Sequence, residues 1–188
     1  MSEIRTIAVI GAGAVGRGIA FAAALGGYRT ILEDVLPSSL RTAAAELREH
    51  LARAADLGSV SKPEALAAFS RLEYASTVEH AAREADLVIE AVPDELESKL
   101  EIFTLLDKIC RPQTILVSNT TALSVSEIAS VTYRAAKIAG VRFAGPVFSS
   151  KNLEIVRAQL TDDETIVACT EVARRMGKQV TVISESDL

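Results

Sequence analysis

A glycine-rich loop near the start of the chain has the composition and spacing of a phosphate-binding turn. Residues 11–16 read "GAGAVG", which fits the pattern G-x-G-x-x-G. A β-branched run precedes the loop and a segment of helix composition follows it, and this context makes the pattern informative. Gly11 permits a tight turn, Gly13 lets the backbone approach a pyrophosphate, and Gly16 lets helix and strand pack closely.

The helix after the loop and an acid further along complete the chemistry of a dinucleotide site. The helix offers free N–H groups to phosphates from Ala14 and Val15 onward. An acid about 20 residues later, at the end of the second strand, is needed for the ribose hydroxyls. Asp34 stands there with Glu33 beside it, and no arginine follows directly. Two acids repel a 2′-phosphate, which favours NAD over NADP. A glycine-rich turn in a flavin-binding fold, or in a fold without ligand, is the alternative.

Three more polar residues stand at or just after the ends of predicted strands. Asp94 lies two residues after the predicted strand "DLVIEAV". Asn119 lies near the end of "TILVSNT", and Thr121 comes directly after it. Ligands of open α/β sheets collect at the carboxyl ends of strands. The local alternatives are a helix N-terminal acid for Asp94 and a turn with an N-cap for Asn119 and Thr120. Both alternatives are compatible with cofactor binding.

Apolar strands alternate with helices along the whole chain, and this pattern positions the polar residues. Nearly continuous apolar strands are typical of a parallel sheet covered on both faces. We therefore predict an α/β fold of Rossmann type, a doubly wound and mostly parallel sheet with helices on both faces, in one domain over residues 1–188. Predicted strands cover residues 5–10, 29–35, 71–76, 86–92, 114–120, 137–144, 152–159 and 179–184.

Two long segments resemble a known family. "DLVIEAVPDELESKLEIF" followed by "ILVSNTTALSVSEIA" is similar to the NAD-binding domain of the 3-hydroxyacyl-CoA dehydrogenases. The glycine loop, Asp34 and "AGVRFAGPVFSSKNLEIV" fall in the family's order and at its spacing, so the resemblance covers almost the whole chain. It implies an oxidoreductase of fatty acid metabolism, with NAD as cofactor and a 3-hydroxyacyl-CoA or related hydroxy acid as substrate.

The resemblance also implies roles for residues along the cofactor. Ala91 and Val92 would flank the path from adenosine to nicotinamide. Asp94 stands where the family has a glutamate near the nicotinamide ribose, and Lys99 matches the family's lysine. Asn119 would lie close to the nicotinamide.

At the substrate end, the family's proton-transfer residues are only partly present. Thr121 replaces a serine that would hydrogen-bond the substrate hydroxyl, and it keeps the hydroxyl group. The family has a histidine base at the position of Arg142 and a glutamate 12 residues later, which is Glu154 here; Gly145 replaces an asparagine. Arginine is always charged and cannot accept the proton. Since a general base contributes about 100- to 10,000-fold, we expect little or no activity from this chain alone.

Arg142 has two interpretations. The favoured one is an ion pair with Glu154 across neighbouring strands, with a guanidinium to carboxylate distance within about 4 Å. The other is that Arg142 binds an anionic substrate group. His50 and His80 lie in charged helical segments and are predicted on solvated faces, so neither replaces the base.

Charge and composition of the whole chain limit the kinds of partner that the protein can have. The net charge is −5, with 20 basic and 25 acidic residues, which argues against nucleic acid and against an anionic membrane surface. No apolar run reaches the roughly 18–20 residues of a membrane span, and the N-terminus lacks a signal-peptide layout. Cys110 and Cys169 stand in no metal-ligand spacing and are predicted to be reduced, in a cytoplasmic protein.

The chain ends at "ISESDL", where the family continues into a helical domain that completes the substrate cleft. We expect either an excised domain or a gene for this half only. The uncovered face would then need a homo-oligomer or a partner chain. Three functions stay open: the NAD-binding domain of a dehydrogenase, a non-catalytic NAD-binding module or subunit, and a dehydrogenase whose base comes from another domain or chain.

Overall fold

The computed structural model describes residues 3–187, which form alternating strands and helices around one sheet. The strands are β1 (Thr6–Ile10), β2 (Arg29–Glu33), β3 (Leu72–Ala75), β4 (Leu87–Glu90), β5 (Ile115–Asn119), β6 (Ile138–Phe143), β7 (Asn152–Arg157) and β8 (Gln179–Ser184). The helices are α1 (Ala14–Leu25), α2 (Pro37–Asp56), α3 (Lys62–Ser70), α4 (Val78–Ala82), α5 (Leu96–Ile109), α6 (Val125–Ala129) and α7 (Asp163–Arg175). All eight predicted strands are confirmed, with ends that differ by up to two residues.

The sheet is mostly parallel and doubly wound, as predicted. Its strand order is β3-β2-β1-β4-β5-β6-β7-β8. The first six strands are parallel, β7 runs antiparallel to β6, and β8 is parallel to β7. The chain moves outward from β1 to β3 and then returns to β4 on the other side of β1. The crevice at the carboxyl ends of β1 and β4 is therefore the topological switch point, where such sheets bind ligands.

Alternate side chains of each central strand belong to two separate apolar layers. In β1, Ile7 and Val9 pack in the layer that also holds α1 and α7, while Ala8 and Ile10 pack in the layer with α4, α5 and α6. This follows from the two-residue period of a strand, and it explains why β1 is apolar throughout.

None of the helices in residues 3–187 is both long enough and apolar enough to span a membrane.

Candidate functional site

The glycine loop connects β1 to α1, and each of its glycines has a distinct structural reason. Gly11 has a positive φ of 101°, and a Cβ there would lie 2.9 Å from the Ala91 carbonyl oxygen. A Cβ on Gly16 would lie 1.8 Å from the Gly11 carbonyl oxygen, so only glycine lets α1 approach the loop. A Cβ on Gly13 would meet nothing within 4 Å. The loop therefore has no room for a side chain at Gly11 or Gly16, whereas the space beside Gly13 is open.

The amino end of α1 is available to a ligand. Gly13 is its N-cap residue, no side chain caps the helix, and its first turn contains no acid. The first N–H groups of a helix have no partner within the helix, and together with the helix dipole they attract anions. The predicted residues Ala14 and Val15 belong to this first turn.

Asp34 joins the end of β2 to the glycine loop. Its two carboxylate oxygens accept hydrogen bonds from the Ala12 N–H at 3.0 Å and from the Leu36 N–H at 2.9 Å. The Gly11 N–H donates to the Glu33 carbonyl oxygen at 2.9 Å, which adds a second link. Each Asp34 oxygen keeps a further lone pair for a hydroxyl donor.

A groove of about 760 Å³ runs along these elements. Eight of the predicted residues line this groove. Four belong to the glycine loop, three to the segment after β4, and the eighth is Asp34. They are Gly11, Gly13, Ala14, Val15, Asp34, Ala91, Val92 and Asp94. Among the remaining lining residues, the sequence had pointed only to Glu33, as the neighbour of Asp34. These remaining residues are Ile10, Glu33, Val35, Val78, Pro93, Ser98, Glu101 and Ile102.

Glu33 differs from its neighbour Asp34 in position and in protonation. It is only 2% exposed, and its Oε1 atom has no hydrogen-bond partner in the described residues. Burial raises the pKa of Glu33 to about 7, and the nearby Asp34 carboxylate adds to this rise, while the Gly11 N–H opposes it. The sequence suggested two acids acting together against a 2′-phosphate, but one of them is buried.

A buried ion pair organises the ends of β4 and β5. The Lys99 ammonium and the Glu90 carboxylate are both completely buried and lie 2.7 Å apart. Lys99 also donates to the Asn119 carbonyl oxygen at 2.8 Å, and Glu90 accepts from the Ser118 hydroxyl at 2.7 Å. Burial raises the pKa of Glu90, and the Lys99 charge, the Ser118 hydroxyl and the Val92 N–H oppose this rise.

These contacts describe where the structure places Lys99. Two bonds to Glu90 and one to Asn119 match the three N–H donors of an ammonium group. A role of Lys99 at the cofactor stays a prediction. Sequence reasoning missed Glu90 and Ser118, although an acid at the end of an apolar strand, nine residues before a lysine, was an available signal.

Asp94 and Thr121 meet across the ends of β4 and β5. One Asp94 oxygen accepts both the Thr121 N–H and the Thr121 hydroxyl at 2.9 Å. Burial acts to raise the pKa of Asp94. This effect is outweighed by hydrogen bonds from Thr120 and Thr121 and by the Lys99 charge, so that the pKa of Asp94 is lowered. An ionised Asp94 therefore fixes the orientation of the Thr121 hydroxyl.

Arg142 and Glu154 occupy facing positions of the antiparallel pair β6 and β7, as the sequence suggested. The expected ion pair between them is wrong: no contact of their charged groups within 4.0 Å occurs in the part of the chain that the structure describes. Arg142 instead donates its Nε–H to the Thr120 carbonyl oxygen at 3.2 Å, while Glu154 is exposed. The guanidinium is drawn toward the end of β5.

Neither histidine lines the groove. His80 is exposed, as predicted. His50 is only half-buried, and its ring stacks on Phe148 with centroids 4.0 Å apart, so its prediction as a residue of a solvated face is only partly right. Cys110 and Cys169 are free and buried, and burial raises their pKa values to about 11 and about 12.

Comparison with known proteins gives a consistent result. Residues 6–186 match the family described as "3-hydroxyacyl-CoA dehydrogenase, NAD binding domain". A Bacillus subtilis (strain 168) protein, "Probable 3-hydroxybutyryl-CoA dehydrogenase", is 38% identical over 183 residues, which are 97% of this chain and 63% of the relative. The 3-hydroxybutyryl-CoA dehydrogenase of Bradyrhizobium diazoefficiens is 35% identical over 179 residues, 95% of this chain and 61% of that one. This chain thus spans about three fifths of the length of these relatives.

Solved structures agree with the sequence matches. The crystal structure of 3-hydroxybutyryl-CoA dehydrogenase from Escherichia coli K12 superposes with a TM-score of 0.93 at 31% identity, covering 97% of this chain and 39% of that one. The (S)-3-hydroxybutyryl-CoA dehydrogenase PaaH1 from Ralstonia eutropha superposes with a TM-score of 0.92 at 27% identity, covering 97% and 64%.

Proposed function

The chain belongs to the 3-hydroxyacyl-CoA dehydrogenase family as its NAD-binding domain, and we propose that it holds NAD in the groove for hydride transfer to or from a 3-hydroxyacyl-CoA or related hydroxy acid. The observation that carries the proposal is the continuous groove from Gly13, where the loop is open, to Asp94, which contacts Thr121. The names of the relatives favour a short acyl chain.

The residues of the groove fit the parts of the cofactor. The free N–H groups at the start of α1 suit the phosphates, and Asp34 has lone pairs left for the adenosine ribose hydroxyls. When bound, NAD would supply the hydride acceptor at its nicotinamide ring. We propose that Asn119 lies beside that ring. Lys99 would then act indirectly, by its hydrogen bond to the Asn119 carbonyl oxygen and its charge near Asp94.

Thr121 is suited to orient a substrate hydroxyl. Because its own hydroxyl proton is donated to Asp94, its oxygen lone pairs are left to accept the proton of the substrate's hydroxyl group. Asp94 thereby acts as a positioning residue for Thr121, which is the predicted contact to substrate.

Proton transfer is the weak part of the proposed mechanism. Arg142 cannot accept a proton, and Glu154 lies exposed on the facing strand. We therefore propose that this chain alone is weak or inactive as a dehydrogenase. The second candidate, a non-catalytic NAD-binding module or subunit, is favoured by the same observation. A base supplied by another domain or chain is the third.

The location and partners are proposals as well. Two buried free thiols support a reducing compartment such as the cytoplasm. A homo-oligomer or a partner chain is supported by β8, an edge strand that within residues 3–187 pairs only with β7 and exposes Val182.

Calorimetry with NAD, NADH and NADP tests the cofactor, and NADH oxidation with acetoacetyl-CoA tests the reaction. We expect NAD and NADH to bind at least about tenfold more tightly than NADP, because Asp34 repels a 2′-phosphate. We expect slow or absent turnover. No NAD binding at millimolar concentration would refute the proposed function, while rapid turnover would refute only the loss of catalysis.

A further inference from the structure

Glu33 is a buried acid in the wall of the groove. It is the last residue of β2, lies 2% exposed, and leaves Oε1 without a hydrogen bond. Buried polar atoms in native proteins are almost always hydrogen-bonded, so an unpaired acid oxygen in the wall of a ligand groove needs an explanation. The Asp34 carboxylate accepts a hydrogen bond from the Ala12 N–H of the glycine loop, whereas Glu33 Oε1 accepts none from the described residues.

The surroundings of Glu33 suit a flat, weakly polar group. Val35, Val78 and Ile102 line the groove with it. No lysine or arginine lines the groove in residues 3–187, so an ionised Glu33 has no cation to balance it.

The charge that acts on Glu33 most directly is the Asp34 carboxylate, which favours the neutral form of Glu33. Asp34 on its own strand end, Asp94 after β4 and Glu101 on α5 are carboxylates of the same groove. The charged residues of α4 and of the turn after it, which are Glu79, His80, Arg83 and Glu84, line a separate pocket beside Ile31. On the neighbouring strand β3, Glu73 is paired with Arg29. Burial and the Asp34 charge keep the Glu33 proton bound up to a pH near 7.

The end of β2 is the adenosine side of a dinucleotide in this strand order, because the acid for the adenosine ribose stands there. Adenine presents a ring nitrogen acceptor next to its amino donor, and a side chain that offers one donor and one acceptor binds both. We propose that the Glu33 carboxylic acid recognises the adenine base of NAD, donating its O–H to a ring nitrogen and accepting an amino N–H. This inference rests on NAD binding by the domain and not on the proposed hydride transfer.

The inference makes binding depend on the Glu33 proton. The ionised carboxylate offers acceptors only and faces the lone pair of the ring nitrogen, so affinity must fall as the pH rises. A glutamine offers an amide donor and acceptor at every pH. Glu33→Gln should therefore keep the contact and lose its pH dependence.

The test is calorimetry with ADP-ribose, which has the adenosine half of the cofactor and lacks nicotinamide. We expect the affinity of the unmodified protein to fall about tenfold between pH 6 and pH 8, as a group with a pKa near 7 deprotonates. The affinity of Glu33→Gln should change less than about twofold over that range. Glu79→Gln, an exposed acid of α4 outside the groove, is the matched control and should behave like the unmodified protein.

A second probe decides whether the base itself is read. In 1,N6-ethenoadenine dinucleotide, N1 and the amino group are bridged, so the paired donor and acceptor are lost. The unmodified protein should bind it more weakly than NAD at pH 6 and without the pH dependence. An equal pH dependence for both dinucleotides, or a pH-independent affinity for ADP-ribose, would overturn the inference even if Glu33→Gln fails to fold. Absence of NAD binding at every pH would instead overturn the proposed function.

Discussion

Single residues define both what the site can bind and what it lacks. Asp34, Asp94 and Thr121 have hydrogen-bond partners that fix their orientation at the carboxyl ends of the strands. Arg142 places a permanent positive charge where the family resemblance implies a proton acceptor. Its Nε–H is bound to Thr120, and the rest of the guanidinium has no hydrogen bond to other described residues. This arrangement is compatible with Arg142 as a contact to an anionic group.

Arg142→His tests whether the proton acceptor is the missing part. We expect NADH oxidation with acetoacetyl-CoA to rise by about 100-fold or more, because histidine titrates near neutral pH and can exchange a proton. The rate should also become pH-dependent around the histidine pKa. Arg142→Lys keeps the charge and is the control, with no gain expected. A folded Arg142→His variant that binds NAD and gains no rate would show that other parts of the site limit the reaction.

Secondary-structure elements position these residues through a few close contacts. The loop between β1 and α1 depends on Gly11 and Gly16, where a Cβ would collide with backbone atoms. The Lys99 and Glu90 pair links α5 to the ends of β4 and β5. Removing one partner of a buried pair leaves an uncompensated charge, which typically costs about 3–5 kcal/mol. The geometry at Asn119 and Asp94 therefore depends on α5 as much as on the strands.

Two glycine substitutions separate the packing of the loop from phosphate binding. Gly16→Ala forces its Cβ against the Gly11 carbonyl, so we expect a loss of about 1–3 kcal/mol in the free energy of unfolding and weaker NAD binding. Gly13→Ala has room for its Cβ, and should cost less than about 1 kcal/mol. Gly13→Ala should still weaken the binding of NAD at least about tenfold, because the methyl group enters the open side of the loop.

Thermal or urea denaturation and calorimetry with NAD measure the two effects separately. A Gly13→Ala variant that binds NAD like the unmodified protein would show that the phosphates do not lie at the open side of the loop.

At the scale of the whole molecule, the two apolar layers hold the sheet, and the buried acid Glu33 is one of the groups that make its stability depend on pH. The pKa of Glu33 rises from 4.5 to about 7 on folding, mainly through burial. The folded state thus binds this proton more tightly than the unfolded state. The stabilising contribution is fully present below about pH 4.5 and is lost as the pH rises to about 7.

We expect this proton to contribute up to about 3 kcal/mol to the free energy of unfolding. Urea denaturation of the unmodified protein and of Glu33→Gln should show a difference that shrinks by up to this amount between pH 4.5 and 7.5, then stays constant. The pKa values of Asp86 and Asp94 are lowered, so their contributions change below this window. A difference that does not vary with pH would show that Glu33 is ionised in the folded protein throughout.

The sequence predicted the elements and the glycine loop well, because these depend on local rules. Apolar runs of strand length alternate with helical segments, and a strand, a glycine turn and a helix define a phosphate site by spacing alone. The neighbouring position of the strands that carry Arg142 and Glu154 was also expected, and β6 and β7 pair antiparallel, with Gly145 at a positive φ of 138° between them. Contacts between side chains distant in sequence were not readable. The Glu90 partner of Lys99, the ring of Phe148 on His50, and the separation of Arg142 from Glu154 all belong to this class.

The amino-acid sequence by itself thus determined the doubly wound fold and the position of the glycine loop, since these follow from periodicity and residue type. That Arg142 stands where the family has a histidine is what the family resemblance implies. Only the tertiary structure decided the state of Glu33, which lies beside Asp34 in the chain but buried and unpaired in the groove. Successive side chains of a strand point to opposite faces, and what each face contains depends on helices elsewhere in the chain. Burial, which sets the pKa of an acid, is a property of that packing.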